Sequence, residues 1–351
     1  MPRDRTTVTE LATALGTSGV DSLDRALAQR PGAVRLEPGD WELLAELHRV
    51  GRFAGDFATA FDIGRDFLAA RDGLGGRPPR LIEWTGARRP PGDEVAPIDL
   101  RIDHVFLISC KYLSQNIQSP SPARLFDGLL ATSGTWDRGD WYDAVAPTEL
   151  TALYLACLDA TGLHGFPPTP SACSREQLGV LRRALSGRSY PDAASRRAYA
   201  DLCRTVSEAS ARRWSEQVAA SGVGSEGMVW RLLRIGSAPY FVLGNDRRTG
   251  TPARYRVASP WDWRTSYELE AFTVTPSTAG QPRVDWSCRV RSRQDGRSAT
   301  VAGHVEIRWS HGRFAQPPEA KVYLDTPMAD LPGYHPLAPE EPAQPTLWAV
   351  P

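Results

Sequence analysis

The chain has 351 residues, and its 41 Lys and Arg balance 41 Asp and Glu to a formal net charge of zero. A hydrophobic content of 41%, with 9% aromatics, is enough to bury a real core, which excludes wholesale disorder. The length suggests two domains, or one with a large appendage, because single cores stop growing near about 250–300 residues.

At the N-terminus Met1–Leu15 is polar and charged, without the apolar stretch of a signal peptide, so a cytoplasmic chain is expected. The first 76 residues read as a helical region. Asp40-Trp41-Glu42 opens an apolar pattern at Leu43, Leu44, Leu47 and Val50. Asp56 is placed to cap a second helix with Phe57, Phe61, Phe67 and Leu68 on its buried side. Gly73–Pro79 then breaks the helical pattern.

From 77 to 135 the period changes. Leu81–Thr85 reads as a short strand and Arg88–Pro97 as a loop. In Ile98–Asp103, Ile98, Leu100 and Ile102 face one way while Asp99, Arg101 and Asp103 face the other, which is strand alternation. A tight turn at Asp103-His104 leads into Val105–Tyr112. That strand contains a short apolar run in Val105–Cys110, and no apolar run in the chain approaches the roughly 18 residues that span a bilayer, so no membrane partner is expected. Ser121 and Pro122 supply the N-cap and first position of a helix carrying Leu125, Phe126, Leu129 and Leu130. The order is helix, three-stranded meander, helix.

Residues 136–225 return to helix, with an arginine-rich middle. Residues 226–330 are β-rich, with strands expected at Tyr240–Leu243, Tyr255–Ala258, Tyr267–Thr275, Val284–Arg291, Ala299–Trp309 and Lys321–Leu324. Residues 331–351 form a proline-rich tail. The fold class is therefore α+β. Cys110, Cys157, Cys173, Cys203 and Cys288 are odd in number, scattered and without a CxxC pair, which argues against a disulfide frame or a zinc site. No GK[ST] follows Gly73–Gly76, so a P-loop is excluded, and no G-x-S-x-G elbow is present.

Only Lys111 and Lys321 are lysine, so 41 − 2 = 39 of the basic residues are arginine. Where arginine is the default cation, a lysine marks a site that a planar guanidinium would not fit. Lys111 ends the third strand of the meander in Ser109-Cys110-Lys111, and Ser109 shares its strand face. On the neighbouring antiparallel strand Asp99, in Pro97-Ile98-Asp99, can come alongside, and Glu83 can approach from the first strand. A cross-strand ion pair between Asp99 and Lys111 on a solvated face is the plainer alternative.

This arrangement resembles the PD-(D/E)xK, or restriction-endonuclease-like, nuclease superfamily. The resemblance covers roughly residues 40–131 as topology and three or four residues as motif. It implies an αβββα core, with Asp99 as the motif aspartate and Lys111 as the motif lysine. It also implies a Mg²⁺ (or Mn²⁺) cofactor and phosphodiester hydrolysis of DNA, in restriction or anti-phage defence. A second copy of the chain or a defence-system protein is the partner it suggests. The departure is Ser109, which stands where the second carboxylate belongs and is a poor ligand for a hard cation. Glu83 or Asp103 must then supply that carboxylate, or the domain binds nucleic acid without cutting it.

From Met228 to Asp325 there are fifteen Lys/Arg against nine Asp/Glu. Within that stretch Arg289, Arg291 and Arg293 project from one strand face, which suits a phosphate backbone. A solvated arginine-rich sheet face is the alternative reading. Glu319-Ala320-Lys321 is a second E-x-K, but it lacks an upstream P-x-D, so Lys321 is expected to be structural or to touch DNA. His304 and His311 are expected to be hairpin residues, since no third ligand has metal spacing.

Overall fold

The computed structural model describes residues 2–86, 98–112, 116–131, 139–187, 189–245, 250–277 and 280–337. The expected 88–97 loop, Pro97 included, and the tail beyond 337 lie outside them.

In chain order the α-helices are α1 (Pro2–Thr17), α2 (Leu23–Gln29), α3 (Pro38–Arg49), α4 (Ala54–Ala69), α5 (Pro122–Phe126), α6 (Trp141–Val145), α7 (Pro147–Thr161), α8 (Arg175–Ala184), α9 (Ala193–Ser221), α10 (Val223–Leu232) and α11 (Pro260–Ser266). The strands are β1 (Val34–Arg35), β2 (Ile82–Trp84), β3 (Leu100–Ile102), β4 (Phe106–Lys111), β5 (Asn116–Gln118), β6 (Tyr240–Asn245), β7 (Pro252–Val257), β8 (Tyr267–Ser277), β9 (Arg283–Ser292), β10 (Ser298–Arg308), β11 (Glu319–Leu324) and β12 (Tyr334–Pro336). The fold is α+β, with N-terminal helices and two sheets.

Two compact units share the chain. The first comprises Met1–Gln115, Arg234–Ser266 and Pro327–Pro351; the second comprises Asn116–Leu233 and Tyr267–Thr326. The β-rich stretch expected at 226–330 is thus divided. Its β6 and β7 join the meander sheet, and β8–β11 form a second sheet with β5. Local pattern marked the strands, but sheet membership is a long-range choice that such a pattern does not encode.

The sheet of the first unit has the order β1-β2-β3-β4-β6-β7-β12. Strands β2, β3 and β4 form the antiparallel meander, and β6 adds to β4 in parallel. Asp103 and His104 turn between β3 and β4 with φ of 48° and 61°. Paired left-handed residues give the primed turn whose twist matches a hairpin, and Asp tolerates that region better than most side chains.

Helix α1 runs through the stretch that the polar N-terminus had concealed. Val8, Leu11, Ala12 and Leu15 fall on one helical stripe and are fully buried. With Phe57, Phe61 and Phe67 of α4 they cover Ile82, Leu100, Ile102, Ile108, Phe241 and Leu243 of the sheet. Each buried Leu or Phe contributes about 1.5–3 kcal/mol, so this layer is the main support of the meander. The two helices approach closely at glycines. A Cβ on Gly16 would fall on the Phe61 carbonyl oxygen, and one on Gly64 on the Thr13 carbonyl oxygen. Asp56 does not cap α4 as expected. The helix starts at Ala54, and Asp56, in the first turn, binds the Arg5 guanidinium at 2.7 and 2.8 Å.

The sheet of the second unit, β5-β11-β10-β9-β8, is antiparallel throughout. Its buried face carries Val284, Trp286, Cys288, Val301, Val305, Ile307 and Val322. Helix α9 packs against β8 and β9, with Trp214 and Phe272 rings 5.4 Å apart. An Asp192–Ser195 capping box fixes its start. Helix α5 begins as expected, with Ser121 accepting from the Arg124 N–H. Among the described residues, no helix is long and apolar enough to cross a membrane.

Candidate functional site

The site is built on the end of β4. Asp99 sits at a bend just before β3, and its backbone is fixed on both sides. Its N–H donates to the Ile108 carbonyl at 2.8 Å, and its carbonyl accepts the Thr85 N–H at 3.0 Å. The carboxylate is aimed across the strands, where Oδ2 accepts the Cys110 N–H at 2.6 Å and lies 3.5 Å from the buried Ser109 hydroxyl.

Lys111 follows on the same strand and is half-buried, with Nζ donating to the Cys110 carbonyl at 3.4 Å. Burial lowers its pKa to about 8. The charge of Arg234 adds to the lowering, while Asp99 and Glu10 oppose it. The parallel neighbour β6 brings Gly244 beside Lys111, and a Cβ on Gly244 would fall on the Lys111 carbonyl. Only a residue without a side chain lets β6 approach there.

The plain cross-strand ion pair is therefore not what the structure holds. The ammonium of Lys111 meets a carbonyl, and the carboxylate of Asp99 meets a backbone N–H.

A second carboxylate reaches this place from α1. Glu10 is only 9% exposed, and its Oε2 accepts the Trp84 indole N–H at 2.7 Å. Burial, and then the charge of Asp99, push its pKa up to about 7, partly offset by the Trp84 hydrogen bond and by Lys111. Helix α1 is held over the strand end by the Thr13 hydroxyl, 2.6 Å from the Tyr112 hydroxyl. Glu10, Asp99, Lys111 and Arg234 thus form a cluster of two acids and two cations whose charges act on one another, with Glu10 and Arg234 buried and Asp99 and Lys111 half-buried. Glu10 was not among the residues expected from the sequence. The signal was there, since Glu10 is the one charged residue between Arg5 and Asp21, in a stretch with a helical apolar stripe.

The two carboxylates expected to replace Ser109 lie elsewhere. Glu83 stands opposite Arg101 in the β2–β3 register and meets His104 Nδ1 at 3.4 Å. Asp103 accepts the N–H groups of Arg80 and Leu81 at 2.9 and 2.8 Å, pinning the start of β2 to the hairpin turn.

The described residues hold no group of three or more His, Cys, Asp or Glu arranged to bind a metal ion. The acids nearest to forming a cation site here are Glu10 and Asp99, whose charges act on each other. The charge of Asp99 raises the cost of ionising Glu10, which a cation would relieve, and Mg²⁺ commonly binds through one or two carboxylates while keeping several waters.

In the second unit Arg289 and Arg291 of β9, and Arg293 in the turn just after it rather than on the expected strand face, are paired rather than free. Arg289 binds Glu270 at 2.9 Å, Arg291 binds Glu268 at 2.6 Å, and Arg293 lies 3.7 Å from Glu268 with Nε donating to the Tyr267 carbonyl at 3.2 Å. Cross-strand pairing with β8 puts these acids beside them. Lys321 is 2.5 Å from Glu319 and 3.0 Å from the Ser119 hydroxyl, so the second E-x-K is a closed local network. His304 binds Asp325 at 2.9 Å and stacks on Tyr323.

No family model matches this chain, and neither a curated protein nor a solved structure matches it.

Proposed function

We propose that the first unit is a metal-dependent nuclease of the restriction-endonuclease-like kind, hydrolysing phosphodiester bonds of DNA at Asp99, Lys111 and Glu10. The observation that carries this reading is the position of Asp99 and Lys111 at the end of a three-stranded meander, near enough for their charges to act on each other, with a buried second carboxylate alongside. Ion-pair chemistry alone gives no reason to bury Glu10 beside Asp99, since an unshared acid pair costs stability.

Glu10 and Asp99 are the groups that would hold Mg²⁺ (or Mn²⁺). When bound, the cation would stabilise charge on the phosphate and acidify a water. Asp99 is preorganised for its part, because the Cys110 N–H fixes its Oδ2 before any ligand arrives. Trp84 fixes Glu10 in the same way. Lys111, with a pKa near 8, is charged at neutral pH yet can give up its proton at little cost, so it can orient a water and balance charge on a phosphate. Burial of Glu10 on α1 keeps bulk water from competing for its carboxylate.

A second reading is favoured by Ser109, which is fully buried where the motif calls for an acid. On that reading the fold binds nucleic acid, or a defence-system partner, without cutting it. Cleavage of supercoiled plasmid with Mg²⁺ or Mn²⁺ separates the two. The nuclease reading requires nicking by the wild type that EDTA, Asp99→Asn and Lys111→Ala each abolish. Binding of DNA without cleavage under either ion would leave the second reading. Restriction or anti-phage defence is the setting we propose for the activity.

A further inference from the structure

The second unit brings two arginines together with no acid between them. Arg124 lies on α5 and Arg231 in the last turn of α10. Arg124 Nε donates to the Ala131 carbonyl at 3.3 Å, and Arg231 Nη1 donates to the Leu129 carbonyl at 3.4 Å. Both guanidiniums therefore converge on one short segment. Gln118 anchors the other side of Arg231 by donating its side-chain amide to the Arg231 backbone carbonyl.

Among the described residues, neither arginine makes an ion pair with a carboxylate. Asp127, the acid next along the chain from α5, is engaged by Arg213 at 3.3 Å. The contrast with β9 is direct, since Arg289, Arg291 and Arg293 each face Glu268 or Glu270. Each guanidinium carries five N–H donors, and the described contacts use one from each. Both side chains are half-buried, neither sealed in the core nor fully solvated. Burial and the neighbouring charge of Arg124 lower the Arg231 pKa, so the two like charges do act on each other.

Holding two cations together in a partly dry place costs free energy unless an anion answers them. The planar fork of arginine matches the oxygens of a phosphate in bidentate fashion, and two forks on one segment suit a doubly charged or bridging phosphate.

We propose that Arg124 and Arg231 form a phosphate-binding site, and that the phosphate it takes is that of a nucleic-acid backbone. The first half stands on the arginine pair alone, and the second half rests on the nuclease reading above. It moves the nucleic-acid contact from the paired arginines of β9 to the unpaired two.

Two measurements on the full chain test it: titration with inorganic pyrophosphate, and binding of a fluorescent DNA duplex over a series of KCl concentrations with Ca²⁺ in place of Mg²⁺. The double variant Arg124→Gln/Arg231→Gln should bind pyrophosphate about tenfold more weakly or worse. Its plot of log affinity against log salt should flatten by about 0.9 for each lost contact, or about 1.8 in all. Unchanged pyrophosphate affinity and an unchanged slope would overturn the site. Pyrophosphate binding that depends on the pair, in a wild type that binds no DNA, would keep the site and sink the nuclease reading. DNA binding whose slope ignores the pair would overturn the nucleic-acid half of the proposal and leave the nuclease reading standing. Should the double variant fail to fold, Arg124→Gln and Arg231→Gln singly must each flatten the slope by about 0.9.

Discussion

The indole N–H of Trp84 donates to Glu10 Oε2 at 2.7 Å, joining a strand of the meander to the N-terminal helix through a buried acid. That bond decides how readily Glu10 ionises. Trp84→Phe keeps the ring and removes the donor, leaving a buried acceptor unsatisfied at a cost of about 1–3 kcal/mol. The Glu10 pKa should rise above its present value near 7, moving the acid limb of the cleavage profile to higher pH. A profile that does not move would detach Glu10 from the chemistry.

The titration of Glu10 and Lys111 sets a pH dependence of stability whose sign can be worked out. Glu10 ionises near 4.5 when unfolded and near 7 when folded. The folded chain therefore holds more protons across that window, and stability falls as pH rises through it, by on the order of 3 kcal/mol from this group. Lys111 loses its proton near 8 when folded and near 10.5 when unfolded. Stability from this group rises again between those values. Urea midpoints should pass through a minimum between about pH 7 and 8, and Glu10→Gln should remove the fall on the acid side.

A divalent cation should act where Glu10 must shed its proton. Mg²⁺ or Mn²⁺ should raise the Tm more at alkaline than at acid pH, since binding requires the ionised carboxylates. Asp99→Asn should erase the effect, whereas Glu83→Gln, at a residue that meets His104, should leave it intact. An effect that survives Asp99→Asn but vanishes with Glu83→Gln would return the site to Glu83.

Gly244→Ala tests the approach of β6 to β4. The new Cβ would fall on the Lys111 carbonyl, so the strand must shift, with an overpacking cost of about 1–3 kcal/mol. Cleavage should drop by more than the loss of folded protein explains, because Lys111 moves with its backbone. Gly64→Ala offers the comparison. It crowds the α1–α4 contact near Thr13, so it should destabilise similarly and disturb Glu10 rather than Lys111.

The paired arginines of β9 give the opposite expectation from the unpaired two. Replacing Arg289, Arg291 and Arg293 with Gln should leave the salt dependence of DNA binding nearly unchanged, because Glu268 and Glu270 already answer their charge. Glu268→Gln/Glu270→Gln, by freeing those arginines, should tighten binding and steepen the slope. A flattened slope in the triple variant would restore β9 as the contact surface.

Alternation, turn chemistry and the Ser121 cap were legible locally, whereas the cap expected at Asp56 was not what the structure holds. Ile98–Asp103 and Val105–Tyr112 carried the strand period, Asp103-His104 the turn, and Ser121-Pro122 the helix start, and β3, β4 and α5 follow these closely. Each rests on contacts within a few residues, which is why a linear reading suffices. The scarcity of lysine likewise pointed to Lys111 without any structure. What only the tertiary structure decided are distances between residues far apart in sequence. Glu10 lies 89 positions before Asp99 along the chain, and only the packing of α1 on the meander brings its charge within reach of Asp99. The acids beside Arg289 and Arg291 come from β8, whose register along β9 is fixed by the buried face that includes Phe272 and Trp286, not by the arginines themselves. Charge follows packing here, because burial of apolar surface sets the register and the polar side chains take the neighbours that register leaves them.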